Sequence, residues 1–491
     1  MRGVFSGSSL TKGDKMKHPY TAIIIFLTIA MTPAIVPGSA RVALAGQDLL
    51  NPEAENRSET GSETPSPSST TKDRKAGASW LTLTRAKQIA LENNPTLAAA
   101  MERVNQAREA VNQAKADYLP TISVSAGMDY TEKTENAAAG FEEKRYTNQV
   151  SATQILFNGF YRKYSTLSAK YREKMSLAAQ DDAKRLLSWS VTQTFLNTQL
   201  AIENIKIAQA DMAFNREQER EAVAKERSGT GSYSDVLNFK TKVNSANFSL
   251  LSAQQDLNEA THGLAALLGY KDGCLPDKMT ISRLTPNMQE VNPDLETRLV
   301  DDLKTAALVA ERPDIKEASL AVQNAQTNIQ MAKSSYFPTI SLDGAYGTTS
   351  GETFHDGESM GVSLGVRVSF DIFSGGAKKA KLRQTLAEKR EKESDLSDAK
   401  NTAVSNIKIS IQNIATARQQ LALQTENTRL MEITRDLVQQ EFNAGQASLV
   451  RLNEAQTDLV AAQGNLSSAG VALILALEEF DYYIGKNINP A

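Results

Sequence analysis

The sequence contains very little cysteine and histidine. Among its 491 residues there are one cysteine, Cys274, and three histidines, His18, His262 and His355. A single cysteine excludes a disulfide framework and a cysteine-rich metal site. The histidines lie far apart, and none has a second ligand type at metal-binding spacing. These absences disfavour catalysis, so we expect a protein that is not an enzyme and that carries no cofactor and no metal.

Neither sign of charge dominates. The chain has 54 lysines and arginines against 57 aspartates and glutamates, a net charge of −3, and 41% of its residues are hydrophobic. A nucleic-acid-binding protein shows a basic excess on some face, so we expect no nucleic-acid partner. The mean hydropathy is −0.36, which taken alone argues against a membrane protein.

The N-terminus carries a targeting signal. We predict a signal peptide over residues 1–45, because three lysines precede an apolar stretch and an Ala-x-Ala cleavage site ends at Ala45. An uncleaved membrane anchor is the alternative, but two prolines leave too short an apolar run for a spanning helix. The long basic segment leaves open whether Met1 or Met16 is the true start.

A polar segment follows the signal. Residues 46–79 are rich in serine, threonine, glutamate and proline. Such a composition cannot bury enough apolar area to offset its ordering entropy, so we predict a disordered polar linker. No cysteine follows the apolar run, and lipid attachment at an N-terminal cysteine is therefore not expected.

The rest of the chain is an internal duplication. The decapeptide at 114–123, Ala-Lys-Ala-Asp-Tyr-Leu-Pro-Thr-Ile-Ser, recurs at 332–341 as Ala-Lys-Ser-Ser-Tyr-Phe-Pro-Thr-Ile-Ser. Further along, Gly229 aligns with Gly445 in nearly the same register. Because independent landmarks keep one register, we predict a first repeat at 80–290 and a second repeat at 291–491.

Each repeat has the same predicted elements in the same order. A helix ends at a proline, alternating apolar and polar residues predict a β-hairpin, and a long helix is followed by a shorter returning helix. The predicted ranges are, for the two repeats in turn, helices at about 84–118 and 301–336, hairpins at 121–157 and 339–373, long helices at 161–227 and 377–442, and returning helices at about 234–268 and 449–484. The fold class is therefore α+β, with a duplicated helix–β-hairpin–long helix–helix unit.

The hairpins favour a membrane barrel. Strands of about 10–12 residues with one apolar and one small or polar face have the length needed to cross an outer membrane. A soluble sandwich strand has the same pattern, but an alternating hairpin between long helices has little soluble core to join. Four strands cannot close a barrel, and an open edge in lipid is prohibitive. Several protomers must then share one barrel, with helices of about 100 Å projecting into the periplasm.

A different class of protein stays open on these patterns alone. It is a periplasmic coiled-coil scaffold without a pore, which requires both hairpins to be soluble. The low mean hydropathy does not decide between the two classes, because only about 45–50 residues per protomer of the membrane form would contact the bilayer.

The ordered, duplicated motifs resemble the TolC-type outer-membrane efflux proteins over about residues 80–491. The motifs that carry the resemblance are the helix openings Asn94-Pro95 and Arg312-Pro313, the helix-to-strand joints Tyr118-Leu-Pro120 and Tyr336-Phe-Pro338, Phe157-Asn-Gly159 and Phe373-Ser-Gly375, and the pattern Gly-x-x-Ser-x-x-Asp-Val-Leu from Gly229 to Leu237. The resemblance implies a homotrimer in the outer membrane of a Gram-negative-type cell. It implies a 12-stranded transmembrane β-barrel continued by a periplasmic α-helical barrel.

The resemblance also implies a function and partners. The expected role is that of a passive duct in a tripartite efflux or type I secretion system, surrounded by outer-membrane lipid. Such a duct docks a periplasmic adaptor protein and an inner-membrane transporter, which supplies the energy. The exported substrate, whether drug, metal or polypeptide, stays open.

A periplasmic gate is implied at the helix tips. The gate residues carried over from the family are Asp235, Phe442, Arg451 and Glu454. One acid of the family's acidic pair is replaced here by Arg451, beside Glu454. In the family, a tyrosine bonds the equivalent of Asp235, but the residue at that tyrosine's position here is Phe442. The position of a nearby arginine of the family is occupied here by Ala447. We predict a closed state held by fewer polar links; the alternative is that these are ordinary solvated helix-end residues.

The turns at the helix tips are the predicted adaptor-docking sites. They comprise Gly229, Thr230, Gly231 and Ser232 in the first repeat, and Gly445, Gln446, Ala447 and Ser448 in the second. Small residues allow two helical hairpins to approach tip to tip. Simple helix capping explains the glycines equally well, and the two interpretations are compatible.

Overall fold

The computed structural model describes five stretches of the chain within one compact unit: residues 79–130, 144–276, 279–282, 302–350 and 359–486. The predicted signal peptide lies outside the described residues. So does the predicted linker except for its last residue, Ser79, which begins a strand. The predicted boundary between the repeats, at residues 290 and 291, lies outside them as well.

The described elements occur in two similar series. They are β1 (Ser79–Leu81), α1 (Leu83–Asn93), α2 (Pro95–Ala116), β2 (Thr121–Tyr130), β3 (Lys144–Asn158), α3 (Tyr161–Arg227), α4 (Tyr233–Leu267), β4 (Met279–Ile281), α5 (Asp302–Glu311), α6 (Pro313–Ser334), β5 (Thr339–Ser350), β6 (Ser359–Ser369), α7 (Ala377–Asn443) and α8 (Leu449–Tyr483). The long helix α3 has the predicted bounds, and α7 is one residue longer than predicted. Strand β6 ends four residues before the predicted end of the second hairpin.

One antiparallel sheet contains both hairpins, with the strand order β2-β3-β5-β6. Its register places apolar residues in lines across the strands, such as Val124 opposite Val150, which in turn lies opposite Tyr346. The neighbouring line consists of Ser125, Gln149 and Gly347. Because successive side chains of a strand point to opposite faces, the sheet has one apolar face and one polar face.

Three polar side-chain contacts link neighbouring strands on the polar face. The hydroxyl groups of Ser123 and Ser151 are 2.8 Å apart across β2 and β3. The hydroxyl of Thr153 donates to the carboxylate of Asp343 at 3.1 Å across β3 and β5, and Arg367 on β6 lies 3.4 Å from the same carboxylate. Polar residues facing the inside and apolar residues facing the outside are typical of a transmembrane barrel.

The helix predicted at about 84–118 is two helices in the structure, which corrects the prediction. The residue before a proline is disfavoured in the helical region, and Asn94 accordingly has an extended backbone with ψ of 124°. Its side chain accepts from the N–H of Thr96 at 2.8 Å and donates to the carbonyl of Leu267 at 2.9 Å. Arg312 occupies the same position between α5 and α6, so both repeats are broken at the same place.

The helices next to the sheet pack in the same order as the strands they adjoin. Helix α3 packs against α2 and α6, and α6 also packs against α7, which gives the order α2-α3-α6-α7. Each of these helices adjoins one strand of the β2-β3-β5-β6 sheet along the chain. Sheet and helices therefore form one continuous wall, four elements wide.

At the far end the long helices form helical hairpins. Helix α4 packs back along α3, α8 packs back along α7, and α3 contacts α8 between them. Helix α8 is long and apolar enough to cross a membrane by length and composition. Its residues Leu459, Leu473 and Phe480 are nevertheless buried, and the last two belong to a core shared with α7.

Neither flank of this wall is covered by other elements among the described residues. One flank is formed by β2 and α2, and the other by β6 and α7. The apolar residues of the two edge strands are highly exposed, at 78% for Val124 and 79% for Val362. Each edge strand also has one side without a hydrogen-bonded neighbour among the described strands.

A small parallel pair, β1 and β4, was not predicted from the sequence. Ser79–Leu81 pairs with Met279–Ile281. Leu81 is 1% exposed and belongs to a core cluster that includes Ile89, Phe195 and Leu264. The pair therefore ties the start of the first repeat to the segment after α4.

Two buried arginines hold the C-terminal end of α8. Arg185 donates to the carbonyl of Tyr482 at 3.2 Å, and Arg312 donates to the carbonyl of Tyr483 at 3.1 Å. Cations at a helix C-terminus interact favourably with its dipole. Burial raises the pKa of Asp314. Its hydrogen bond to Arg312 and the charges of Arg312 and Arg185 lower the pKa, and together they outweigh the effect of burial. The net pKa therefore lies below the ordinary value of 3.8.

Candidate functional site: the turns at the helix tips

Two turns at the far end of the helical hairpins share one backbone geometry. The turn from α3 to α4 has Gly229 at φ +77°, and the turn from α7 to α8 has Gly445 at φ +75°. The N–H of Gly229 donates to the carbonyl of Glu226 at 2.9 Å, and that of Gly445 donates to the carbonyl of Phe442 at 3.0 Å. A left-handed glycine of this kind closes the C-terminus of a helix.

The remaining turn residues cap the returning helices. The hydroxyl of Ser232 accepts from the N–H of Ser234 at 3.1 Å, and that of Ser448 accepts from the N–H of Arg451 at 3.3 Å. A Cβ atom added at Gly445 would have no described atom within 4 Å. The capping interpretation is therefore supported by the bonds, while open space above the turns leaves room for a partner.

An apolar tip cluster joins the two hairpins. Its buried members are Ala222, Phe239, Val438, Leu452 and Ala455. Phe442 packs edge-on against Phe239, with ring centroids 6.4 Å apart. The ammonium group of Lys225 lies 5.2 Å from the centroid of the Phe442 ring. The ring of Phe442 is therefore held between the core of the tip and a cation of the other hairpin.

The predicted gate residues Arg451 and Glu454 differ in their charge partners. Arg451 donates to the carboxylate of Glu441 at 2.8 Å across the turn. Within the described residues, the carboxylates of Glu454 and Asp235 form no side-chain hydrogen bond or ion pair. The Arg451 charge is therefore balanced by Glu441, and Glu454 stays as an exposed acid beside the tip.

The two tips have opposite charge patterns at equivalent positions. Lys225 and Asp235 flank the first turn symmetrically, and Glu441 and Arg451 flank the second turn in the same way. The second pair forms a salt bridge. In the first tip, Lys225 lies over the Phe442 ring instead, and Asp235 lines the same small recess. The two repeats therefore differ in the order and in the contacts of these charges.

Polar contacts between the two hairpins lie beside the residues of this tip cluster. The amide of Gln456 donates to Asp211 at 2.8 Å, and that of Asn453 donates to Asn238 at 3.0 Å. Within the described structure, the side-chain oxygens of Gln456 and Gln439 are buried without a hydrogen-bond partner. Unpaired buried polar atoms cost free energy, so the contact between the hairpins is weaker here than an apolar core would be.

The sequence identified some of these residues and missed others. The structure brings Asp235 and Phe442 to one recess, whereas Lys225, Phe239 and Glu441 were not singled out. A signal for Glu441 was present, since residues equally distant from a hairpin turn face each other, and both Glu441 and Arg451 lie five positions from Gln446. No comparable pattern pointed to Phe239.

The chain forms a wall of strands and long helices that ends in two capped tips. This is the architecture of outer-membrane channels that extend into the periplasm. A family model described as outer membrane efflux protein matches residues 86–270 and 306–486. The chain belongs to the outer membrane efflux protein family.

Individual relatives agree with this assignment. The probable outer membrane lipoprotein SilC of Salmonella typhimurium is 26% identical, over 76% of this chain and 79% of the relative. The alkaline protease secretion protein AprF of Pseudomonas aeruginosa is 24% identical, over 81% and 83% of the two chains. The structure of the outer membrane protein VceC of Vibrio cholerae matches with a TM-score of 0.68 and 16% identity, covering 82% of this chain and 96% of VceC.

The family assignment confirms the predicted function and location. The protein is a channel for efflux or type I secretion in the outer membrane, and it extends into the periplasm. The scaffold alternative is therefore wrong. The family consists of transport channels rather than a known class of enzyme. The resemblance to TolC-type proteins, stated from the motifs alone, is confirmed as well.

Proposed function

We propose that three copies of this chain close one 12-stranded barrel, continued by a 12-helix periplasmic tunnel. The observation that carries the proposal is that no described element covers either flank of the wall, at the level of the sheet or of the helices. An unpaired strand edge is not tolerated in lipid. Pairing β6 and α7 of one copy with β2 and α2 of the next covers every edge and generates a closed ring.

The barrel interior requires more than two copies, and the family resemblance implies three. Two copies would give eight strands, and the interior of an eight-stranded barrel is about filled by side chains. Three copies give twelve strands, which leave room for a passage. The polar face, with small residues such as Gly347 and Gly361 and the polar residues around Asp343, then lines the lumen.

The tips of the six hairpins are the proposed periplasmic gate. In each copy, Phe442 fixes the α7–α8 hairpin against the α3–α4 hairpin, supported by Lys225 and by the pair Arg451 and Glu441. The buried and unpaired side-chain oxygens of Gln439 and Gln456 beside the cluster support a contact between the hairpins that can be broken. Asp235 has no hydroxyl partner because residue 442 is phenylalanine, which supports a closed state with fewer polar links. Glu454 contributes acidic charge at the mouth.

The turns around Gly229 and Gly445 are the proposed docking sites for a periplasmic adaptor. Their open surfaces support this role. The adaptor would couple the duct to an inner-membrane transporter, and the duct itself would stay passive. Exported substrates are selected upstream, since one relative is described as a protein-secretion component while the family is described by efflux.

Native mass spectrometry of the protein extracted from outer membranes tests the assembly. The expected result is a complex of three chains that resists dissociation in mild detergent. A monomer, or a soluble form that needs no detergent, would contradict the shared barrel. Conductance of the same preparation in planar bilayers then tests whether the complex contains a passage.

A further inference from the structure

A cavity of about 680 Å³ lies where the sheet meets the helices. It is lined by the strand ends Thr339 and Ser369, which belong to the polar face of the sheet. Residues of α3, α6 and α7 form its other walls, among them Arg172 and Met331. The cavity is formed by one protomer alone, and its volume is in the range of pockets that bind small organic molecules.

The lining combines cations with apolar and aromatic surface. Arg172, Lys378 and Lys381 bring three positive charges, and Phe337 and Phe370 bring half-exposed aromatic rings. Lys378 lies 5.4 Å from the Phe370 ring centroid and donates to the backbone carbonyl of Asp371 at 2.8 Å. Its side chain is only 18% exposed, so this charge is held in place beside the cavity.

Two carboxylates also line the cavity, which leaves its lining with one more cation than anion. The carboxylate of Asp371 is 75% exposed and lies 3.9 Å from the ammonium of Lys378. Glu388 lies seven residues beyond Lys381 on α7, about 10 Å along the helix axis. Lysine 381 donates to Gln384, which is a neutral partner. The end of the cavity nearest the start of α7 is therefore positively charged.

The start of α7 adds to this positive end. The helix has 67 residues and begins after Gly376 with no side-chain cap. A helix N-terminus carries a partial positive charge in its first turn, and Lys378 belongs to that turn. The basic run at the beginning of α7 thus has two faces. Lys378 and Lys381 line the cavity, while Lys379 and Arg383 lie on the opposite side of the helix.

We infer that this cavity is a binding site for small organic anions that have an aromatic or apolar body. The anionic group lies between Lys378 and Lys381, and the body lies against Met331 and Phe337. That the cavity opens to the lumen depends on the proposed barrel, but binding itself does not. A duct must release what it binds, so the binding is weak, saturable and reduced by salt.

Isothermal titration of the full chain in nanodiscs with 2-naphthalenesulfonate tests this assignment, with empty nanodiscs as the blank. We expect saturable binding that is at least about tenfold weaker in the double variant Lys378→Gln with Lys381→Gln, because each charge-assisted hydrogen bond contributes about this factor. The matched double variant Lys379→Gln with Arg383→Gln removes the same charge from the opposite side of α7 and should bind as wild type. The cation 2-naphthylmethylammonium should bind more weakly than the sulfonate.

The assignment is wrong if the sulfonate shows no saturable binding above empty nanodiscs, or if the Lys378 and Lys381 double variant binds it as tightly as wild type. Equal binding of the cationic probe would also overturn it. If the double variant does not assemble, Met331→Trp replaces it, since this change fills the cavity and keeps every charge. Binding that survives in Met331→Trp would place the ligand elsewhere. The result does not depend on export, so it is separable from the proposed gate and adaptor roles.

Discussion

Replacing Phe442 by alanine is a direct perturbation of the proposed gate. The ring is partly buried in the tip cluster, packs edge-on against Phe239 and lies under Lys225. Truncating a fully buried phenylalanine costs about 3–5 kcal/mol, so a half-buried ring contributes about 2 kcal/mol. The edge-to-face contact adds about 0.5–1.5 kcal/mol, and the cation above the ring adds about 0.5–1 kcal/mol.

The closed tip should therefore lose about 3 kcal/mol in each protomer. A loss of this size moves a closed-to-open equilibrium by roughly 100-fold. Trimers carrying Phe442→Ala should show a large increase in open probability in planar bilayers. Phe442→Tyr should do the opposite, because it keeps the ring and adds a hydroxyl toward the recess that Asp235 lines.

The matched control is Phe248→Ala, which removes an aromatic ring that is 74% exposed on α4. It should leave conductance at the wild-type level. If Phe442→Ala trimers assemble and have the wild-type unfolding temperature but conduct like wild type, then Phe442 does not hold the hairpins together. An equal effect of Phe248→Ala would show that the response is not specific to the tip cluster.

Three further predictions concern charge, pH and docking. Glu454→Gln should lower the preference of the channel for cations, measured as a reversal potential across a salt gradient. Glu441→Gln should lower it too, because the charge of Arg451 is then no longer balanced. Unchanged selectivity in both variants would show that these residues do not line the mouth. Arg312→Met should reduce stability by about 1–3 kcal/mol near neutral pH, because it leaves Asp314 partly buried without its main partner. A carboxylate with a lowered pKa stabilises the fold at pH values above its ordinary pKa of 3.8, and this stabilisation is lost as the pH falls through the lowered pKa. The difference in unfolding temperature between wild type and Arg312→Met should therefore become smaller in acid. A difference that does not change with pH would contradict the assigned pairing. Asparagine is compatible with the left-handed backbone at residue 445, and Gly445→Asn adds bulk into open space. The variant should form the trimer but bind the adaptor more weakly in a pull-down. Full adaptor binding and full export would exclude docking at this turn.

Periodicity predicted the large elements well because burial follows a simple repeat there. Helix α3 has the same bounds in prediction and structure, and the hairpins have the predicted alternation. The helix predicted at about 84–118 runs through the break at Asn94, although Asn94-Pro95 was among the helix openings of the family resemblance, because helix propensity is strong on both sides. The three-residue strands β1 and β4 were missed since their pairing joins segments about 200 residues apart.

The positions of the tip residues were predictable but their contacts were not, and their role as a gate stays a prediction. The resemblance placed Asp235, Phe442, Arg451 and Glu454 near the tips, and the structure places Asp235 and Phe442 at one recess. Which acid bonds Arg451 depends on side-chain geometry across the turn, and the sequence analysis did not single out Glu441. Contacts between the repeats depend on how the two helical hairpins pack against each other. The periodicity of apolar residues within one helix does not predict this packing.

Electron cryomicroscopy of the protein extracted from outer membranes tests the central claim most directly. The account predicts a threefold ring of twelve strands, with β6 of each copy hydrogen-bonded to β2 of the next and α7 packed against the neighbouring α2. An assembly in which either edge strand stays unpaired, or a ring with another number of copies, would contradict it.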